Sequence, residues 1–266
     1  PKGRESTIYD MVYNGKLYPP KLVISIANRF ANGNELNAND FQGGHGTPAH
    51  TLLEQAGFEI IAKNDPILEL IESYKTIISE TKLQDEVYKW KLIDQYRGRP
   101  NTEAADFYEE IKDIKFDNLI YAMAGGVIRD LAKDKPEETR ELFIHLFDES
   151  INLTERVNEF NKNSLKIYRE LGQTHGHHQD ERTIATYLTF HNPEKYTFYK
   201  NTFYKKLCQL LHVKEDGKNQ KYTHYLSLID ELIVKYIQLD NELIRFVKEF
   251  IPEYYSGTNH KLLVQD

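Results

Sequence analysis

The apolar positions change period once along the chain. In residues 6–13, β-branched and aromatic side chains dominate, with Ile8, Asp10 and Val12 on one face of an extended strand. Asn14-Gly15 supplies the positive φ pair of a type I′ turn, and Lys16-Leu17-Tyr18 returns as a second strand. Pro20 suits the first turn of a helix, where its missing N–H has no partner to lose. Leu22, Val23, Ile26, Ala27 and Phe30 follow at helical spacing up to Gly33, a C′ stop. Thr47-Pro48 reads as N-cap and N1 of a short helix carrying Leu52, Leu53 and Ala56. Gly57 ends that helix, and Phe58-Glu59-Ile60-Ile61 closes as a strand. The expected order is β-β-α-α-β.

Beyond Asn64-Asp65-Pro66, a cap candidate followed by Pro at N1, the period is helical. Ile67, Leu70, Ile71, Tyr74, Ile77 and Ile78 mark one helix, and Val87, Trp90, Leu92, Ile93 and Tyr96 a second. After a break at 97–101 come Phe107, Tyr108, Ile111 and Ile114, then Leu119, Ile120, Met123, Val127, Ile128 and Leu131. Pro136-Glu137-Glu138 opens a helix with acids at the positive end of its dipole. Its pattern continues through Leu142, Phe143, Leu146, Phe147, Ile151 and Leu153 toward Phe160. Thr183 to Phe190 reads as helix, and Tyr222 to about Ile251 as one long final helix. The expected class is α+β and mostly helical: a small β-β-α-α-β domain over 1–63, then a larger all-α multi-helix domain over 64–266.

Composition restricts the compartment. Cys208 is the single cysteine among 266 residues, which excludes a disulfide framework and a Cys-based zinc cluster. No apolar run approaches the ~18 residues of a transmembrane helix, and the start lacks the apolar stretch of a signal peptide. The expectation is a cytoplasmic protein with no membrane partner.

Charge is unevenly spread. The net value of −7 speaks against nonspecific nucleic-acid binding. Yet residues 64–160 hold 13 bases against 22 acids, most simply the solvated faces of helices, while residues 195–221 hold seven lysines against Glu215 and Asp216. The first 30 residues are also basic. Local patches decide anion binding, because salt screens charges beyond about 8–10 Å.

The densest feature is residues 191–206. Lys195, Lys200, Lys205 and Lys206 interleave there with Tyr196, Phe198, Tyr199, Phe203 and Tyr204. Lysines neutralise phosphates, and exposed rings stack on bases for about 1–3 kcal/mol each. On a helix, Tyr196, Tyr199, Lys200 and Phe203 would share one face. The competing reading buries the rings and leaves only the lysines in water.

Other motifs carry less. Gly43-Gly44-His45-Gly46 precedes a helix and would present N–H groups to a phosphate, but no Walker A loop occurs, and a tight turn is the plainer reading. His175, His177 and His178, beside Asp180 and Glu181, form a possible metal set whose spacing fits neither HExxH nor a zinc finger; a polar loop is the plainer reading. Glu110-Ile111-Lys112 mimics half of a nuclease motif but falls in a helical pattern. No GxSxG, CxxC or GxGxxG string occurs, so neither a catalytic residue nor a cofactor is expected.

Two segments carry family resemblances. Residues 13–24 (Tyr13-Asn14-Gly15-Lys16-Leu17-Tyr18-Pro19-Pro20-Lys21-Leu22-Val23-Ile24), with Ala27, Gly33, Leu36, Phe41-Gln42-Gly43-Gly44 and residues 52–60, resemble the amino-terminal head of McrA-type modification-dependent restriction endonucleases. The relatives more often have Asp-Ser or a similar pair where this chain has Pro19-Pro20. Residues 181–200 and Lys221-Tyr222-Thr223-His224-Tyr225-Leu226 resemble the region before the motor in McrB-type AAA+ restriction GTPases. Together they imply the recognition portion of a DNA-restriction, phage-defence system, with an AAA+ motor and a nuclease supplied elsewhere. The start at Pro1 and the end at Gln265-Asp266 suit a piece of a longer chain.

The leading expectation is therefore a non-catalytic DNA-recognition region, reading duplex DNA with a modified base through Lys16, Tyr18, Lys21, Arg29, Lys195, Tyr196, Tyr199, Lys200, Tyr204, Lys205 and Lys206. The alternative is a protein-interaction module docking a motor or nuclease subunit. A metal-dependent hydrolase built on 175–181 is the third reading.

Overall fold

The structure, a computed structural model, describes residues 6, 8–37, 39–44, 47–63, 65–81, 83–251 and 259–265. Three short strands, β1 (Tyr9–Tyr13), β2 (Lys16–Tyr18) and β3 (Glu59–Ala62), form an antiparallel sheet in the order β2-β1-β3. Asn14 and Gly15 take φ values of 51° and 70°, the two left-handed positions that a two-residue hairpin turn demands. That turn sets Tyr13 opposite Lys16 and puts Met11 opposite both Tyr18 and Ile60. Met11 is buried at the sheet centre beneath helices α1 (Pro20–Asn32) and α2 (Pro48–Gln55). Tyr9 on the same face meets His50 of α2 edge-on, with ring centroids 5.0 Å apart. Gly33 ends α1 with φ 85°, donating its N–H to the Arg29 carbonyl at 3.0 Å. His45, Gly46 and Asn64, which entered the readings above, lie outside the described residues.

Helix α3 (Pro66–Thr81) starts at the junction. Asp65 caps it by accepting the Ile67 N–H at 2.8 Å, and its other oxygen takes the Tyr236 hydroxyl at 2.5 Å. There follow α4 (Tyr88–Tyr96), α5 (Phe107–Lys112), α6 (Ala122–Asp134), α7 (Pro136–Phe147), α8 (Leu153–Glu170), α9 (Glu181–His191), α10 (Asn201–Leu210), α11 (Lys221–Lys235) and α12 (Asn241–Phe250). The fold is α+β and mostly helical, with its small sheet at the amino end.

Helix α9 runs through the middle of the helical portion, every side chain from Thr183 to Phe190 being buried. Its threonines avoid unpaired hydroxyls by bonding backward: Thr186 to the Arg182 carbonyl at 3.1 Å and Thr189 to that of Ala185 at 2.8 Å. Phe143 of α7 anchors the surrounding core, meeting Phe160 and Tyr187 at 5.1 Å each. Trp90 is buried with its indole N–H bound to the Leu262 carbonyl at 2.7 Å, tying the turn His260–Val264 to α4.

Two long helices expected from periodicity are each divided. The helix opened by Pro136 ends at Phe147, because Asp148 accepts the N–H and hydroxyl of Ser150 and Asn152 caps α8 through the Thr154 N–H. The span from 222 to 251 breaks at Tyr236. Asp240 there caps α12 by accepting the Leu243 N–H at 2.9 Å, and pairs with Lys75 of α3 at 2.7 Å. In both places local side-chain acceptors outcompete a continuing helical ladder.

Candidate functional site

Four helices begin at one cleft. Tyr121 precedes α6, Asp180 precedes α9, Lys200 precedes α10, and Gln220 precedes α11. The cleft holds about 420 Å³ and is lined by Tyr121, Asp180, Glu181, Arg182, Tyr199, Lys200, Asn201, Thr202, Lys218 and Lys221. A helix start carries unsatisfied N–H groups and the positive end of the dipole. Two starts are closed by carboxylates: Asp180 accepts the Thr183 N–H at 3.1 Å, and Glu181 accepts the Tyr222 N–H at 2.9 Å. Among the described residues, no side chain caps the starts of α6 and α10. Burial pushes the Glu181 carboxyl above its ordinary range, against the pull of the α11 N–H groups and Lys221.

The cations differ in how firmly they are held. Arg182 donates to the carbonyls of Leu119 and Asn118 at 2.7 and 2.8 Å, and its guanidinium lies 4.8 Å from the Tyr121 ring centroid. Tyr121 nevertheless stays 55% exposed. Lys221 reaches Glu215 at 3.2 Å and Asn201 at 3.4 Å. Lys200 sits 5.1 Å from the centroid of Phe203, itself 49% exposed. Lys218 is exposed at the rim. Four cations against two carboxylates leave the cleft lining net positive, with uncapped N–H groups beside an aromatic ring. Such a constellation receives a phosphate together with a planar ring.

The structure corrects the ring assignments. Residues 195–200 are irregular and α10 begins only at Asn201, so Tyr196, Tyr199 and Phe203 do not share a helical face. Tyr196, Tyr199 and Tyr204 are all buried and are unavailable for base stacking. Their hydroxyls hold the interior instead. Tyr196 donates to Glu149 at 3.4 Å and accepts from buried Arg156 at 3.1 Å. Tyr204 accepts the Asp216 N–H at 2.7 Å and meets His224 Nδ1 at 2.8 Å, which fixes the loop after α10. Tyr199, Tyr204, Tyr222 and Tyr225 form a ring cluster with centroid separations of 5.4–6.5 Å. Desolvation pushes the Tyr204 and Tyr225 phenols up to about 12 and that of Tyr199 well above its ordinary value.

The lysines divide by position. Lys195 pairs with Glu149 at 2.8 Å, which holds that carboxyl below its usual range. Lys205 and Lys206 stand exposed on α10, and Lys206 borders a second hollow with Pro66, Gln209, Leu210 and His212. Helix α10 thus runs from the cleft to the junction with the sheet. In the head, Lys16 is exposed on β2, and Tyr18 is half-buried. The stem of Lys21 crosses Gly43 so closely that a Cβ there would meet its Cγ at 2.9 Å, and its ammonium lies 5.1 Å from the Phe41 centroid. Arg29 pairs with Glu35 at 3.1 Å. None of these four head residues lines the cleft.

His175, His177 and His178 do not converge. His177 Nε2 faces the Asn161 carbonyl at 3.0 Å, His178 leans on Tyr121, and His175 is exposed. Among the described residues no three His, Cys, Asp or Glu side chains are placed to hold a metal ion. Glu110 and Lys112 sit on α5, where Glu110 accepts the Asn101 N–H at 2.8 Å and Lys112 pairs with Glu109. Among the described residues, no helix is long and apolar enough to cross a membrane.

Tyr121, Arg182, Lys218 and Lys221 are cleft residues that pattern reading did not select. Lys218 and Lys221 belong to the basic 195–221 segment and were legible as charge. Tyr121 lies out of phase with the apolar stripe of 119–131, a weak signal of exposure.

The fold defines a small sheet-and-helix head joined to a helical body with a basic cleft. Residues 3–62 match the family described as ScoMcrA-like, N-terminal head domain, which supports a McrA-type head at the amino end. No curated protein and no solved structure matches the chain.

Proposed function

We propose that the chain is a non-catalytic DNA-recognition region of a modification-dependent restriction system, organised as a head unit over 1–63 and a helical unit over 64–266. The observation that carries this reading is the head match over residues 3–62, which supports a restriction context. The cleft supports it independently, because Arg182, Lys200, Lys218 and Lys221 surround open helix starts beside exposed Tyr121. Lys205 and Lys206 add exposed positive charge along α10, where Lys206 borders a hollow with Pro66, and Lys16 is exposed in the head. Lysines supply affinity for the backbone, and specificity for a modified base rests on the cleft ring. A parent with an AAA+ motor and a nuclease partner belongs to the same proposal.

The test is a binding panel of modified and unmodified duplexes at stated salt, read as a specificity ratio. Binding in the nanomolar to micromolar range, weakened by Lys200→Gln, Lys205→Gln and Lys206→Gln together, is expected. Unchanged affinity in that triple variant at several salt concentrations contradicts the assignment.

A docking role has one observation in its favour. Phe30 on α1 is 80% exposed, and Leu52 on α2, a helix packed against α1, is also exposed. Retention of a purified motor or nuclease subunit without any DNA binding, lost on Phe30→Ser, supports that second reading.

A further inference from the structure

The cleft is small, and its one exposed ring, Tyr121, offers a flat face rather than a hydrogen-bonding edge. In a duplex the bases face inward and only their groove edges are accessible, so a duplex lying across the mouth would touch the rim lysines and leave Tyr121 idle. One unstacked nucleotide uses both features at once. Its phosphate meets Lys218 at the rim and the open N–H groups at the start of α10, while its base lies against the Tyr121 ring. Arg182 already covers one side of that ring at 4.8 Å, and its own hydrogen bonds to Leu119 and Asn118 hold it there. The ring is therefore fixed before a ligand arrives, which lowers the ordering cost of stacking. A cleft of about 420 Å³ lies in the size range of pockets that hold one small organic group.

We propose that this cleft seats a single unpaired nucleotide of a nucleic-acid strand, and that the protein prefers single-stranded or locally unpaired DNA to a perfect duplex. The proposal rests on the DNA-recognition reading above and adds to it the conformation of the bound strand. The ring, not its hydroxyl, makes the stacking contact. Tyr121→Phe is then expected to retain binding where Tyr121→Leu does not.

Fluorescence anisotropy with four probes tests this: a perfect duplex, the same duplex with one unpaired base, the single strand, and free nucleoside monophosphate. The expected result is affinity at least about tenfold higher for the unpaired duplex or single strand than for the perfect duplex. Tyr121→Leu abolishes the difference, Tyr121→Phe keeps it, and Lys218→Glu weakens both preferred ligands. Equal affinity for all three DNAs, or a preference that survives Tyr121→Leu, overturns the proposal while leaving the DNA-recognition reading intact. Free nucleotide bound more tightly than any DNA overturns it in favour of a nucleotide-binding site. No binding to any DNA at low salt overturns the DNA-recognition reading and this proposal with it. Thermal unfolding of each variant checks the fold, and exposed Tyr121 and Lys218 are expected to leave it unchanged.

Discussion

Tyr196 joins a buried cation to a surface anion. Its hydroxyl accepts from Arg156 and donates to Glu149, which also holds Lys195, so one phenol links the interior to the rim. Removing that hydroxyl leaves a buried guanidinium short of an acceptor. Tyr196→Phe is expected to lower unfolding stability by about 1–3 kcal/mol, read from urea denaturation. An unchanged midpoint would show that Arg156 finds another partner. Two histidines contribute to acid sensitivity. Burial holds His177 and His191 below the ordinary imidazole range, so the unfolded chain takes up protons that the folded one refuses. Their contribution is present above the unfolded value and lost as pH falls toward the folded one. Stability is therefore expected to decline as pH drops below about 6.5, and His191→Phe should flatten that decline. At this scale the chain was half legible. Interleaved Lys and Tyr single out residues 195–206, but a tyrosine's fate depends on which neighbours its ring meets. Tyr199 meets Tyr222 and Tyr225, more than twenty residues further along, and no local pattern encodes that contact.

Element boundaries were readable where the backbone itself demands a residue type. Asn14-Gly15, Gly33 and the prolines at 20, 48, 66 and 136 all mark the expected starts, stops and turns, because left-handed φ and a missing N–H act locally. Breaks made by side-chain acceptors were masked by apolar period that continues across them, as at Asp240. That residue closes α12 and holds Lys75, whose side chain is only 11% exposed. Burial alone would lower the Lys75 ammonium, but hydrogen bonds to Asp240 and Glu72 outweigh it and raise the group above its ordinary range. The pair's contribution is complete below the unfolded lysine value and lost as pH rises through the folded one. Asp240→Ala should cost about 1–3 kcal/mol at neutral pH, combining a lost cap with the loss of one of the carboxylates on Lys75, which keeps Glu72 at 2.7 Å. The difference from wild type should narrow above about pH 10.5. A loss below 0.5 kcal/mol in chemical denaturation contradicts this account of how α3 and α12 are joined.

Over the whole molecule, acidity and nucleic-acid binding are compatible because the charges are segregated. None of the acids of 64–160 lines the cleft, whose two carboxylates, Asp180 and Glu181, come later in the chain. The convergence of four helix starts could not be read from sequence, since it arises from packing around α9 and joins residues a hundred positions apart. Glu181 gives this surface a pH dependence. Its raised carboxyl protonates sooner than an ordinary glutamate as pH falls, which removes a negative charge from the cleft. DNA affinity is expected to rise at constant salt as pH falls and this carboxyl protonates, and Glu181→Gln should bind more tightly at neutral pH and lose that rise. The central claim, that this basic cleft and α10 grip a nucleic-acid backbone, is tested most directly by the salt dependence of DNA affinity in wild type and in Lys205→Gln/Lys218→Gln. Each neutralised phosphate contact contributes about 0.7–0.9 to the slope of log K against log salt. The account predicts a steep negative slope in wild type and one shallower by about 1.4–1.8 in the double variant; identical slopes and affinities in the two proteins would contradict it.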